Sequence, residues 1–205
     1  MKIALISRSN LADKLFWSGV PSIIYSKLKK KKLKVIKIDN LNQNFRKFFV
    51  IKREYLKLFK KLKFDETYNI RVSKNYSHQI NNRLKKIKDI THLLTFDSSL
   101  VSFLKTDIPI ILWTDILYTD YYKYYFRDQK ISKSTVSDIK ILESETIKKC
   151  KLIIFTSKWS LNNAKQKYKK FQNKFKLLEF GPSLHHQLSE KRIKQQILKR
   201  EKNKI

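Results

Sequence analysis

Short apolar runs alternate along the chain with longer stretches whose apolar positions recur every three or four residues. Residues 2–7 (KIALIS) are a continuous apolar run bounded by polar residues, the pattern of a strand buried on both faces. After a polar loop, Pro21 suits the first turn of a helix, where its missing N–H is not needed. Ile23, Ile24 and Leu28 then follow at helical spacing up to the charge run Lys29–Lys32. Residues 34–39 (KVIKID) predict a second strand, so strand, loop, helix and strand fit within about forty residues, the signature of a parallel sheet. Further on, helices are predicted over 45–63, 76–88 and 133–149, with a short one over Ser98–Leu104. Strands are predicted over His92–Phe96, Ile110–Trp113, Leu152–Thr156 and Phe175–Phe180, and a helix over Ser157–Tyr168. The stretch from Tyr118 to about 130 is read as a loop, and the chain from His186 as a basic helical tail.

This alternation predicts an α/β fold: a Rossmann-like, mostly parallel sheet of six or seven strands flanked by helices, over residues 1–185. Open sheets of this kind bind ligands at the carboxyl ends of their strands. The Trp17–Pro21 loop, the Phe96–Ser99 turn, Asp115 and Ser157 are therefore expected along one rim.

Composition narrows the chemistry. Aromatic residues make up 13% of the 205 residues, which excludes wholesale disorder. No apolar run reaches the ~18–20 residues of a transmembrane helix, and the N-terminal apolar run is too short for a signal-peptide core. One cysteine, Cys150, excludes an internal disulfide and a multi-cysteine metal site, and a cytoplasmic location is expected. The net charge of +30 invites a nucleic-acid reading, but 39 lysines stand against 8 arginines, and Ile and Asn abound while Ala, Gly and Pro are scarce. AT-rich coding accounts for that bias, and arginine, the better residue for bidentate phosphate or base contacts, is rare. No specific nucleic-acid partner is expected. The Lys29–Lys32 run and the 57–63 stretch read either as solvated faces or as contacts to an anionic membrane surface.

Few residues carry a chemical signal on their own. Ser18, Gly19 and Val20 follow the first strand; a glycine there lets the backbone approach a ligand, or forms an ordinary strand-to-helix turn. No GxGxxG is present, so a dinucleotide site is unsupported. Asp115, at the end of a buried strand, either hydrogen-bonds an acceptor hydroxyl or anchors the following loop as a cap. Asp97, before Ser98 and Ser99, reads as a cap. The tyrosines of Tyr118–Phe126 suit sugar stacking, but a loop folded over the sheet is the simpler account. Cys150 and the adjacent His185 and His186 lack the neighbours that a metal or a thiol nucleophile needs, and read as structural.

Taken as an ordered set, several segments resemble the N-terminal domain of family 4-like glycosyltransferases of the GT-B fold. They are KIALIS with the WSGVP loop, TFDSS, PIILWTD, Glu143 eight residues before Lys151 leading into LIIFTSKW, and LLEFGP. The set spans roughly residues 1–185. The chain departs from the family at Lys151, where an acid is usual, and at the Pro-Ser after Gly181. The resemblance implies the acceptor side of sugar transfer from a nucleotide-sugar donor to a hydroxyl of a sugar or lipid-linked acceptor. It implies Asp115 in the catalytic position and Ser18, Gly19, Val20 and Ser157 as substrate-binding, with no metal and no cofactor beyond the donor substrate. It also implies a donor-binding domain beyond the linker-like residues 186–205, on a separate chain if not on this one. The isolated chain is then expected to be inactive alone, and to sit in the cytoplasm or peripherally at the inner face of the membrane. Two other classes stay open: a basic α/β module for RNA or an anionic membrane surface, and an interaction protein that completes a separately encoded donor domain.

Overall fold

A computed structural model describes residues 1–43, 47–179, 181 and 189–202. Six strands form one all-parallel sheet: β1 (Lys2–Ile6), β2 (Lys34–Ile38), β3 (His92–Thr95), β4 (Ile110–Thr114), β5 (Leu152–Phe155) and β6 (Phe175–Leu177). Their order across the sheet is β2-β1-β3-β4-β5-β6. The chain starts at β1, steps outward to β2, and returns to the other side of β1 with β3. The order thus reverses between β1 and β3, the place where such sheets open a crevice at the strand ends. Register follows the apolar pattern, with Ala4 opposite Ile36 and Leu93, and Leu112 opposite Thr95 and Ile153. Lysines mark the two edge strands, Lys34 and Lys37 in β2 and Lys176 in β6, which discourages edge-to-edge pairing.

The helices are α1 (Val20–Lys30), α2 (Lys47–Lys60), α3 (Ile70–Leu84), α4 (Tyr118–Tyr125), α5 (Lys133–Lys149), α6 (Lys158–Lys167) and α7 (Glu190–Lys202). The side chains of β1 alternate between two cores. Ala4 and Ile6 join the larger one, with Phe49 of α2, Val72, Tyr76 and Ile80 of α3, Ile147 of α5 and Ala164 of α6. Ile3 and Leu5 join the smaller one, against Ile24, Tyr25 and Leu28 of α1. Cys150 is fully buried in the larger core, where burial pushes its thiol pKa up to about 12, so it is inert packing.

Four elements differ from the sequence pattern. Of the short helix expected over Ser98–Leu104, only Ser98–Leu100 is helical, as a single 3-10 turn. The stretch read as a loop from Tyr118 contains α4, whose Tyr118, Tyr121, Tyr122 and Tyr125 fall on one helical face. The helix expected over 76–88 begins at Ile70, because the Asn69 side chain accepts from the Arg71 N–H and caps it. Buried Ser73 and Ser77 then break its apolar period; their hydroxyls donate to the carbonyls of Ser99 and Leu100. The last strand stops at Leu177 rather than at Phe180. Residues 45 and 46, Phe180, Pro182, His185 and His186 lie outside the described residues.

Ahead of α1 the backbone makes a left-handed turn, with φ of 47° at Trp17, 54° at Ser18 and 75° at Gly19. For the first two residues this conformation is costly, and at Gly19 it is free. A Cβ on Gly19 would lie 2.9 Å from the Lys14 carbonyl oxygen. Gly19→Ala is therefore expected to destabilise the fold by ~1–3 kcal/mol. An unchanged urea midpoint would show that the turn tolerates a side chain.

Candidate active site

Gly19, Asp115 and Ser157 all lie at the carboxyl edge of the sheet, following β1, β4 and β5. At the point of strand reversal this edge encloses a pocket of about 310 Å³. That is at the small end of the range for small-molecule sites. Ser7 and Arg8 enter it from the end of β1, Phe96 and Asp97 from β3, Asp115 and Ile116 from β4. Phe16 and Trp17 close one side, and Asp65, Tyr68, Tyr118 and Tyr121 the other.

Arg8 and Asp97 form an ion pair across the floor, their side chains only 15% and 12% exposed. Burial works against the Arg8 charge, but Asp97 and the neighbouring phenols outweigh it and raise its pKa well above the ordinary value. Its Nε lies buried with no hydrogen-bond partner among the described residues. Asp97 does act as the cap read from sequence: its Oδ1 accepts from the Ser99 N–H at 2.9 Å and from the Ser99 hydroxyl at 2.7 Å. The same carboxylate thus fixes the turn after β3 and holds the guanidinium.

Tyr68 lies 5.7 Å below the Arg8 guanidinium, and its ring centroid is 3.8 Å from that of Tyr118. Desolvation first, and then the Asp97 charge, raise both phenol pKa values, so both rings keep their protons; the Tyr68 hydroxyl accepts from Arg8 Nη2 at 3.4 Å and from the Tyr118 hydroxyl. On the opposite wall Trp17 packs against Phe96 with centroids 5.5 Å apart. The left-handed turn is what delivers the Trp17 ring to the pocket. Asp65 accepts from the Thr67 N–H at 2.8 Å and from the Tyr122 hydroxyl.

Asp115 stands at the mouth. Its carboxyl is solvent-facing, yet enough of it is desolvated to raise its pKa above the ordinary value, against the pull of the N–H groups of Asp115 and Ile116. It does not cap α4, whose N-cap is Leu117. That helix start is served from a distance by Glu143 on α5, which is 2% exposed. Glu143 accepts from the Thr119 N–H at 2.9 Å, from the Thr119 hydroxyl, and from the Tyr168 hydroxyl at 2.6 Å, with Lys167 at 3.4 Å. It thereby ties α4, α5 and α6 together and sets the placement of Tyr118 and Tyr121.

The other residues singled out from the sequence fall outside this lining. Ser157 is the N-cap of α6, accepting from the Ser160 N–H at 3.2 Å. Ser18, Gly19 and Val20 form the turn that positions Trp17 and opens α1. A larger hollow of about 860 Å³ lies between α4 and α6, lined in part by Tyr124, Trp159 and Lys167. It is an open surface groove away from the strand reversal. Among the described residues, no group of three or more His, Cys, Asp and Glu could hold a metal ion, and no helix is long and apolar enough to cross a membrane.

No protein-family model matches the chain. No curated protein matches it in sequence either.

Removing one partner of the floor pair strands the other charge in a desolvated place. Asp97→Ala is expected to cost ~3–5 kcal/mol, of which the lost cap is a part. Adding Arg8→Met to it should recover some of that loss. Urea unfolding of the two single variants and the double variant reads the coupling, and strict additivity would show that the pair does not act as a unit.

Proposed function

We propose that this chain is the acceptor-binding domain of a family 4-like glycosyltransferase, with the acceptor sugar seated in the pocket between β1, β3 and β4. The observation that carries the reading is the pocket's character. It sets three carboxylates, Asp65, Asp97 and Asp115, against one guanidinium, within walls of six aromatic rings. In a protein of net charge +30 this is a locally acidic spot. It disfavours phosphate-rich ligands and suits a neutral polyhydroxyl ring, whose C–H faces pack on aromatics and whose hydroxyls find acceptors. The position at the strand reversal supports the same reading.

Asp115 then takes a hydrogen bond from the acceptor hydroxyl and aims its oxygen at the sugar carbon of the donor. As the acceptor oxygen bonds to that carbon, the carbon's bond to the nucleotide's phosphate oxygen breaks, the phosphate leaves as an anion and the hydroxyl proton passes to Asp115. Tyr68, as a protonated phenol, donates to another hydroxyl of the acceptor. The nucleotide-sugar is gripped by a second domain, as the family resemblance implies, and binding it beside the acceptor supplies the orientation on which the rate depends. The rival reading, a basic module for RNA, draws on total charge alone; the acidic pocket gives a phosphate backbone no seat there.

Saturation-transfer NMR with a panel of neutral hexoses and N-acetylhexosamines tests the proposal. At least one should bind, and Asp115→Ala should weaken it by roughly tenfold or more, the worth of a hydrogen bond to a charged group. Because desolvation raises the Asp115 pKa, its proton leaves at a higher pH than from a free aspartate. Binding should therefore fall on acidification at a pH above the ordinary aspartate value of about 3.9, and Asp115→Asn should abolish that limb. Absence of saccharide binding, or equal binding by Asp115→Ala, would reject the assignment.

A further inference from the structure

The helix α2 carries an apolar face that none of the described residues covers. Its inward side is settled: Phe49 stacks on Phe64 with centroids 6.3 Å apart, Lys52 lies over the same ring, and Arg53 pairs with Glu66 at 2.8 Å. Away from these contacts, Phe48, Ile51, Tyr55, Leu58 and Phe59 are 52–71% exposed. Their spacing of three, four, three and one places all five within an arc of about 100° on the helix surface. Single exposed apolar residues need no explanation, but five large ones in one stripe do.

Cations border the stripe. Lys47 and Lys52 flank its two sides; Lys57 and Lys60 lie on the far side of the helix, about 150° from the stripe's centre, and Lys61 follows its last turn, all exposed. The helix's one acid, Glu54, is paired with Arg53 at 2.7 Å.

We propose that α2 is an interfacial helix that docks this domain on an anionic lipid bilayer. Its five apolar side chains enter the boundary between headgroups and acyl chains, and its flanking lysines meet lipid phosphates. The charge pattern selects this occupant. A second copy would bring two rows of lysines and two charges of +30 face to face. An anionic surface takes the stripe and the lysines together, and two such signals are what lasting peripheral attachment needs. The proposal is independent of the sugar-transfer reading.

Vesicle flotation at roughly 0.15 M salt tests it. The native chain should float with phosphatidylcholine vesicles containing about 30% phosphatidylglycerol and stay behind with phosphatidylcholine alone. Ile51→Glu/Phe59→Glu should lower bound protein about tenfold or more, and the uncharged Ile51→Ser/Phe59→Ser should lower it severalfold. Lys29→Glu/Lys30→Glu removes more charge elsewhere on the surface and should retain most of the binding. All four positions are solvent-facing or partly so, and circular dichroism verifies that each variant keeps its fold. The proposal is overturned if the two stripe variants bind like the native chain, since charge alone would then explain attachment. It is equally overturned if the native chain ignores the acidic vesicles, or if light scattering shows a dimer that the stripe variants dissolve.

Discussion

The buried pair of Arg8 and Asp97 joins the ends of two strands that are neighbours in the sheet but lie 89 residues apart in the chain. It sits where the strand order reverses, the one place in a parallel sheet where the loops at the strand ends diverge and leave a crevice. Both charges are largely withdrawn from water, so each makes the other tolerable. Asp97 also fixes the turn after β3, and Arg8 anchors Tyr68, whose ring meets Tyr118. The floor and one wall of the pocket thus depend on a single contact between distant parts of the sequence. Glu143 plays the matching part outside the pocket, holding the start of α4 from below.

Much of the sheet was legible because each of its strands is short, apolar and flanked by polar residues, a pattern that a parallel sheet with two covered faces imposes. The helices were harder. The start of α3 is hidden in the sequence because Ser73 and Ser77 stand at core-facing positions, and their hydroxyls are satisfied by carbonyls that only tertiary structure supplies. The α4 stretch reads as a tyrosine-rich loop, although Tyr118, Tyr121, Tyr122 and Tyr125 have the spacing of one helical face. Its start has no side-chain cap of its own; the acceptor comes from Glu143, 24 residues away.

The site was legible only at its rim. Asp115 could be placed there because it ends the cleanest apolar run, but its two weighed roles could not be separated from sequence. Ser18, Gly19 and Val20 proved to shape the turn, and Ser157 to cap a helix, while the ring that the turn delivers is Trp17. Nothing local marks Arg8 and Tyr68 as partners, whereas Tyr118 and Tyr121 belong to the stretch whose tyrosines suit sugar stacking but read more simply as loop packing. One signal was present: in a chain that uses lysine almost everywhere, arginine at the end of the first strand is a departure from the compositional drift. Arginine's weaker hydration and forked geometry suit it to a buried ion pair, which lysine fills poorly.

On the proposed reading, an acidic, aromatic pocket on a strongly basic protein selects a neutral sugar over its anionic counterpart. An amide-resolved NMR titration with a neutral hexose and with the same hexose 6-phosphate tests this most directly. The account predicts that the neutral sugar shifts the amides of Ser7, Arg8, Asp97 and Ile116, and that the phosphate leaves them in place and perturbs surface lysine regions instead. Tighter binding of the phosphate at those four amides would contradict it.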